Sequence, residues 1–255
     1  MVKLKVFVTL LTTQVRSEKL TRTMTISNNL RIIGQSIRAA EKKYQRTPNS
    51  VQLLAVSKRH SNASILEALA AGQTAFGENY AQEMLTKAEQ LTAESGERKP
   101  IDWHFIGPLQ SNKTRQIAAT AQWVHTVDRL KIARRLSDQK PEQRSDINIC
   151  LQVNISDESS KSGITPEELP ELAGHIAELP GLKLRGLMAI PAISEEFEQQ
   201  RGTFAKLREL QESLIKSGLD LDTLSMGMSG DMEAAIAEGA TIVRIGTAIF
   251  GQRDR

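Results

Sequence analysis

The sequence predicts an α/β fold, a single (β/α)8 TIM-type barrel preceded by one extra helix. Two observations predict it. Eight short apolar runs alternate with amphipathic segments, and the connections between successive runs are too long for hairpins. Apolar runs buried on both faces require a parallel sheet covered by helices. Eight such units in roughly 230 residues suit a closed barrel better than an open, doubly wound sheet.

The elements follow in order. Between Asn28 and Tyr44, Leu30, Ile33, Ile37 and Ala40 recur at helical spacing among Arg and Lys, which marks an amphipathic helix. Val51–Ser57 is a buried strand, and the helix Ser64–Ala71 stops at Gly72. Strand and helix then alternate as Thr74–Gly77, Tyr80–Glu94, Asp102–Ile106, Ser111–Thr120, Trp123–Val127 and Leu130–Ser137. Ile147–Ile155 is a long strand, and Thr165-Pro166 opens the next helix with a cap residue followed by proline. Leu182–Ile190 is a strand and Glu195–Lys216 a long helix closed by Ser217-Gly218. Thr223–Met226, the helix Asp231–Glu238 and the strand Thr241–Ile245 complete the series. The opening helix is expected to cover the barrel where a helix after strand eight would stand.

Charge narrows the function. The formal net charge is +3 and the pI about 9.0, values that invite a nucleic-acid reading. Residues 1–23, however, carry five basic residues against Glu18, and the remainder of the chain has net charge −1. With no basic stripe after residue 23 and aromatics at 4%, nucleic acid is excluded as a partner. No stretch reaches the ~20 apolar residues of a membrane span. Cytoplasmic residence is expected. Residues 1–23 read as an extension that precedes the domain, with Met24 as its start, and residues 24–255 as the barrel. The single cysteine, Cys150, lies in an apolar run and reads as a core thiol.

In such barrels functional residues stand at the C-terminal strand ends, and phosphate binds the loops after strands seven and eight. Those two ends read Ser225-Met226-Gly227-Met228-Ser229-Gly230 and Arg244-Ile245-Gly246-Thr247. Glycines beside hydroxyl residues let backbone N–H groups approach a phosphate, although either cluster alone is also a plain turn. Lys58 directly follows an apolar strand and points into the barrel mouth, where loss of water favours the neutral amine and Schiff-base chemistry. Its bland alternative is a solvated strand-end lysine. A lysine amine facing a phosphate site matches the aldehyde and phosphate of pyridoxal 5′-phosphate (PLP). Arg244 is placed to reach the pyridine nitrogen, or to pair with a carboxylate on a neighbouring strand. His104 and His125 lie within strands and read as core histidines. No histidine cluster suggests a metal, and no nucleophile elbow suggests a serine hydrolase.

Seven ordered segments carry a resemblance. They are Ala55–Lys58, Phe76–Tyr80, Trp103–Lys113, Asn154–Gly163, Arg185–Met188, Ser225–Ser229 and Val243–Thr247. Together they closely resemble the PLP homeostasis (YggS/PROSC) protein family over roughly residues 25–253. The resemblance implies a fold type III barrel like the N-terminal domain of alanine racemase. It implies that Lys58 holds PLP as an internal aldimine, that Ser225, Gly227, Gly246 and Thr247 line the phosphate, and that Arg244 faces the pyridine nitrogen. Asn79 is placed near the ring. The implied role is PLP binding in vitamin B6 and amino-acid homeostasis, with PLP-requiring apo-enzymes as partners. Gly230 departs from the family, in which many members carry an acidic residue there.

An enzyme of the racemase type needs a second acid/base opposite the lysine. In alanine racemases that is a tyrosine supplied across a dimer by a C-terminal β domain, for which this chain leaves no room after Arg244. Tyr80 is the available substitute, and packing is its expected role. An arginine at the ring nitrogen disfavours ring protonation and so weakens the electron sink. A PLP-holding monomer without strong catalysis is therefore expected, with a weak racemase, or a barrel binding a phosphate metabolite without a covalent bond, as alternatives. Lys161 is a candidate transient acceptor of the aldehyde during transfer.

Overall fold

The computed structural model describes residues 25–95, 100–156 and 162–252. The N-terminal extension and Lys161 lie outside the described residues. The chain opens with α1 (Ile26–Lys43), whose first turn is capped by the Thr25 hydroxyl accepting from the Asn28 amide. There follow β1 (Gln52–Val56), α2 (Asn62–Ala70), β2 (Ala75–Glu78), α3 (Ala81–Ser95), β3 (Asp102–Phe105), α4 (Thr114–Thr120), β4 (Trp123–Val127) and α5 (Leu130–Gln139). The second half runs β5 (Ile147–Gln152), α6 (Leu169–Ala177), β6 (Leu182–Met188), α7 (Phe197–Lys216), β7 (Thr223–Ser225), α8 (Met232–Ala237), β8 (Ile242–Ile245) and α9 (Thr247–Phe250).

The eight strands are parallel and close into a barrel, β1 pairing with β8 in the register Leu54↔Arg244. Strand alternation sorts the side chains into two apolar layers. Leu54, Val56, Ala75, Ile106, Trp123, Cys150, Met188 and Ile242 fill the lumen. Phe76, Trp103, Phe105, Val124 and Val243 belong to the larger layer beneath the helices. The α1 helix buries Ile33, Ile37 and Ala40 and packs on α2, α8 and α9, the place expected for it. The Asn29 side-chain amide donates to the Ile249 carbonyl at 2.8 Å, and Lys43 pairs with Glu233 at 2.7 Å.

Several element ends differ from expectation for local reasons. The β5 strand stops at Gln152 because residues 162–164 fold back, with Ile164 N–H donating to the Gln152 carbonyl and Asn154 N–H to that of Ile164. Thr165 and Glu168 do form a reciprocal box of amide-to-side-chain bonds, but they hold a turn, and α6 begins at Leu169. The Thr114 hydroxyl closes a turn on the Ser111 carbonyl, so α4 starts at Thr114. A short α9 follows β8, where the sequence suggested no further helix.

Candidate functional site

The site forms at the C-terminal ends of the strands. Lys58 lies two residues beyond β1, half-buried, and its starting point is fastened from several directions. The preceding residue, Ser57, donates its amide to the Gly77 carbonyl and its hydroxyl to Glu78 Oε1 at 2.7 Å. Its carbonyl accepts from Lys87 Nζ at 2.7 Å and from the His60 amide. Lys87 reaches Glu78 at 2.8 Å and Glu83 at 2.7 Å, so a buried carboxylate and a buried ammonium brace the strand end. Burial pushes the Glu78 carboxyl above its ordinary range, opposed by Lys87 and by the Ser57 hydroxyl. Arg59 holds a left-handed backbone (φ 61°), and its amide donates to Glu83 Oε1.

Lys58 opens onto a cavity of about 290 Å³ lined by Val56, Asn79, Ile106, Ser229, Arg244 and Thr247, among others. Asn79 enters it from the end of β2. Gly107 makes this approach possible, since a Cβ there would sit 1.9 Å from the Asn79 carbonyl oxygen. The Asn79 Oδ1 atom is buried and has no hydrogen-bond partner among the described residues. A buried acceptor left unmatched beside a cavity suits an occupant carrying a donor.

Arg244 forms the opposite wall. Its guanidinium is buried and donates to the Ser225 carbonyl, to Ser225 Oγ at 2.8 Å and to the Ala189 carbonyl at 2.8 Å. These acceptors are neutral, so the carboxylate pairing weighed from the sequence is not what holds it. Burial lowers its pKa to about 10, which leaves it charged at neutral pH. The β8 end then supplies Gly246 and Thr247, and His60 stacks on Phe250 at 4.9 Å beside them.

Of the expected residues, Lys58, Asn79, Arg244, Gly246 and Thr247 line this cavity together. Ser225 and Gly227 do not. The Ser225 hydroxyl is fully buried against His125 and Arg244. Gly227 turns the chain at φ 94°, and a Cβ there would meet Ala235 at 2.6 Å. The turn beyond it brings Met228, Ser229 and Gly230 to the cavity instead. Gly230 has open space around it, and the Asp231 carboxylate accepts from the Met228 amide. Tyr80 stands outside the cavity lining, its ring against the Arg59 guanidinium at 5.5 Å and its hydroxyl accepting from Arg59. Cys150 is a buried lumen thiol, pushed up to about 12 by desolvation. Among the described residues no group of three or more His, Cys, Asp or Glu side chains is arranged to hold a metal.

Comparison with known proteins decides the family. Residues 29–254 match the model of the alanine racemase N-terminal domain. A pyridoxal phosphate homeostasis protein of Pseudomonas aeruginosa is 56% identical over 230 residues, 90% of this chain and 96% of that one. The chain belongs to the pyridoxal phosphate homeostasis protein family. The Escherichia coli K12 member is 51% identical over 90% of this chain and 97% of its own length. Among solved structures, PipY of Synechococcus elongatus with PLP bound is 38% identical, with a TM-score of 0.73 over 84% of this chain and all of that one. Alanine racemase of Corynebacterium glutamicum is similar at a TM-score of 0.61 and 17% identity, a likeness of fold alone. The PLP homeostasis family and its alanine racemase relatives thus share the (β/α)8 barrel read from the sequence.

Proposed function

We propose that this protein binds pyridoxal 5′-phosphate and serves intracellular vitamin B6 and amino-acid homeostasis, holding the cofactor on Lys58 without strong catalysis of its own. One observation carries this reading. Lys58 after β1, Ser229 after β7, and Arg244 with Gly246 and Thr247 at the end of β8 come from three strand ends yet line one cavity. PLP supplies an aldehyde that a lysine amine captures covalently, together with a phosphate and a pyridine nitrogen. Lys58 is the amine in reach, braced through Ser57. Ser229, Gly246 and Thr247 receive the phosphate, and Gly230 keeps that wall free of a side chain. Asn79 Oδ1 accepts from a ring substituent, which satisfies its unmatched lone pair. Arg244 donates toward the ring nitrogen and, as a charged donor, keeps a proton off it.

The family reading supports a carrier over an enzyme. The relatives are named as homeostasis proteins, and the neighbour from Synechococcus elongatus holds PLP. A racemase needs a second acid/base, and the Tyr80 hydroxyl is engaged by Arg59 instead. The same proposal makes the protein a cytoplasmic monomer that passes PLP to apo-enzymes. No helix among the described residues is long and apolar enough to cross a membrane. The test is PLP titration of wild type and Lys58→Ala, followed by borohydride reduction. A visible band in wild type, abolished by reduction and absent from the variant, is expected. A wild type that stays colourless overturns the reading. Exchange of the alanine α-proton in D2O at an ordinary enzymatic rate of ~1–10³ s⁻¹ overturns the carrier role.

A further inference from the structure

A chain of buried polar side chains crosses the barrel lumen beneath the cavity and ends on Arg244. Asp102 begins β3 at the N-terminal rim, where its side chain is 34% exposed. Its Oδ2 lies 3.1 Å from His104 Nε2, and His104 Nδ1 lies 2.9 Å from His125 Nε2. His125 Nδ1 is 2.8 Å from Ser225 Oγ, which is 2.8 Å from Arg244 Nη1. His104, His125 and Ser225 are all fully buried.

The direction of the bonds follows from the two ends once His104 Nδ1 acts as an acceptor. A guanidinium only donates and a carboxylate only accepts. Burial, with Arg244 adding to it, holds His125 well below the ordinary imidazole range, so its ring is neutral. With Asp102 accepting, His104 donates from Nε2, and the relay takes its Nδ1 as the acceptor of the next bond. His125 must therefore donate from Nε2 and accept at Nδ1, so the Ser225 hydroxyl donates to it. That turns a Ser225 lone pair toward Arg244. The bond dipoles thus align with their negative ends toward the guanidinium, and the series terminates on a carboxylate at the far rim.

We propose that Asp102, His104, His125 and Ser225 form a proton-ordered relay that positions the Arg244 guanidinium toward the ring of the bound cofactor and helps keep it charged. They are positioning residues, and the inference rests on the PLP reading. It answers why a buried arginine here lacks a carboxylate in contact. A buried charge needs compensation, and aligned dipoles ending on Asp102 supply it without placing an anion beside the cofactor ring. The other charged and titratable groups near the relay are Arg185, which lies over the Trp123 ring that stacks on His104, its partner Asp222, Cys150 in the lumen and Asp231 near Arg244.

The experiment has two arms on the full chain. Long-range ¹H–¹⁵N correlation of the histidine rings in the unmodified protein is expected to show His104 and His125 as neutral Nε2–H tautomers at pH 7. An Nδ1–H tautomer or a cation at either ring overturns the relay, whatever the cofactor does. In the second arm PLP is added to Asp102→Asn, Ser225→Ala and Ser225→Thr. All three are expected to bind PLP and be reduced by borohydride. The pH midpoint of the visible band should move by about half a unit or more in Asp102→Asn and Ser225→Ala, and stay near wild type in Ser225→Thr. Unchanged midpoints in the first two overturn the proposal. A wild type that binds no PLP overturns the cofactor reading and the relay's role toward it, an outcome distinguishable from wrong ring tautomers.

Discussion

Lys87 Nζ lies 2.8 Å from Glu78 Oε1 and 2.7 Å from the Ser57 carbonyl, so one buried ammonium ties the end of β2 to the residue before Lys58. Removing it leaves Glu78 without its cation in a dry layer. Lys87→Met is expected to lose about 3 kcal/mol of stability and to slow PLP capture by Lys58. Urea unfolding measures the first and the growth of the visible band the second. The double variant with Glu78→Gln should recover part of the stability, because the fully buried charge is then gone and only the partly exposed Glu83 has lost its lysine. A Lys87→Met protein as stable as wild type contradicts the bracing role.

Glu78 also has a pH signature. Its folded-state pKa is raised above the ordinary 4.5, chiefly by burial. A raised pKa means the folded protein binds the proton more tightly than the unfolded chain. The resulting stability is fully present below the ordinary value and is lost as pH rises through the folded value. Glu78→Gln lacks this dependence. Relative to Glu78→Gln, wild type should therefore be favoured more at pH 4 than at pH 7, as urea midpoints at the two pH values would show. A difference that grows with pH contradicts it.

The barrel was legible because apolar runs, glycine stops and cap residues recur in a fixed order, and parallel strands buried on both faces leave that pattern plainly. Lys58 and Arg244 were legible for the same reason, as charges interrupting or ending apolar strands. Side-chain direction beyond a strand end was not. Within Ser225–Gly230 the sequence does not reveal that Gly227 takes a positive φ and turns the chain, and this sends Ser229 rather than Ser225 to the cavity. The relay was hidden for a different reason. His104 and His125 each show inward parity, but their meeting depends on the β3–β4 register, which pairs His104 with Trp123. The α9 helix has four residues, too few for a helical period to show.

Cys150 offers a check on the lumen itself. The thiol is fully buried, and desolvation raises its pKa to about 12, so the thiolate that reacts with disulfide reagents is scarce at neutral pH. Native protein should resist an aromatic disulfide reagent at pH 8 and release one equivalent of thiol promptly in denaturant. Rapid labelling without denaturant would mean that the lumen opens readily to solvent.

The opening helix links stability to the site. Asn29 is buried on α1, and its amide donates to the Ile249 carbonyl within α9, the element whose first residue, Thr247, lines the cavity. Asn29→Ala leaves that carbonyl without this donor, which costs about 1–3 kcal/mol, and frees α9 from its support. The expected outcome is a lower melting temperature together with weaker PLP retention after gel filtration. Lys43→Ala separates the two effects. It removes the exposed pair that Lys43, on the same helix as Asn29, makes with Glu233 of α8, a pair worth little in water, and leaves the Asn29–Ile249 bond in place. If Lys43→Ala lowered PLP retention as much as Asn29→Ala, general loosening of α1 would be the cause. If only Asn29→Ala does so, α1 acts on the site through this one carbonyl, performing by a side-chain bond what a longer eighth barrel helix would do by packing.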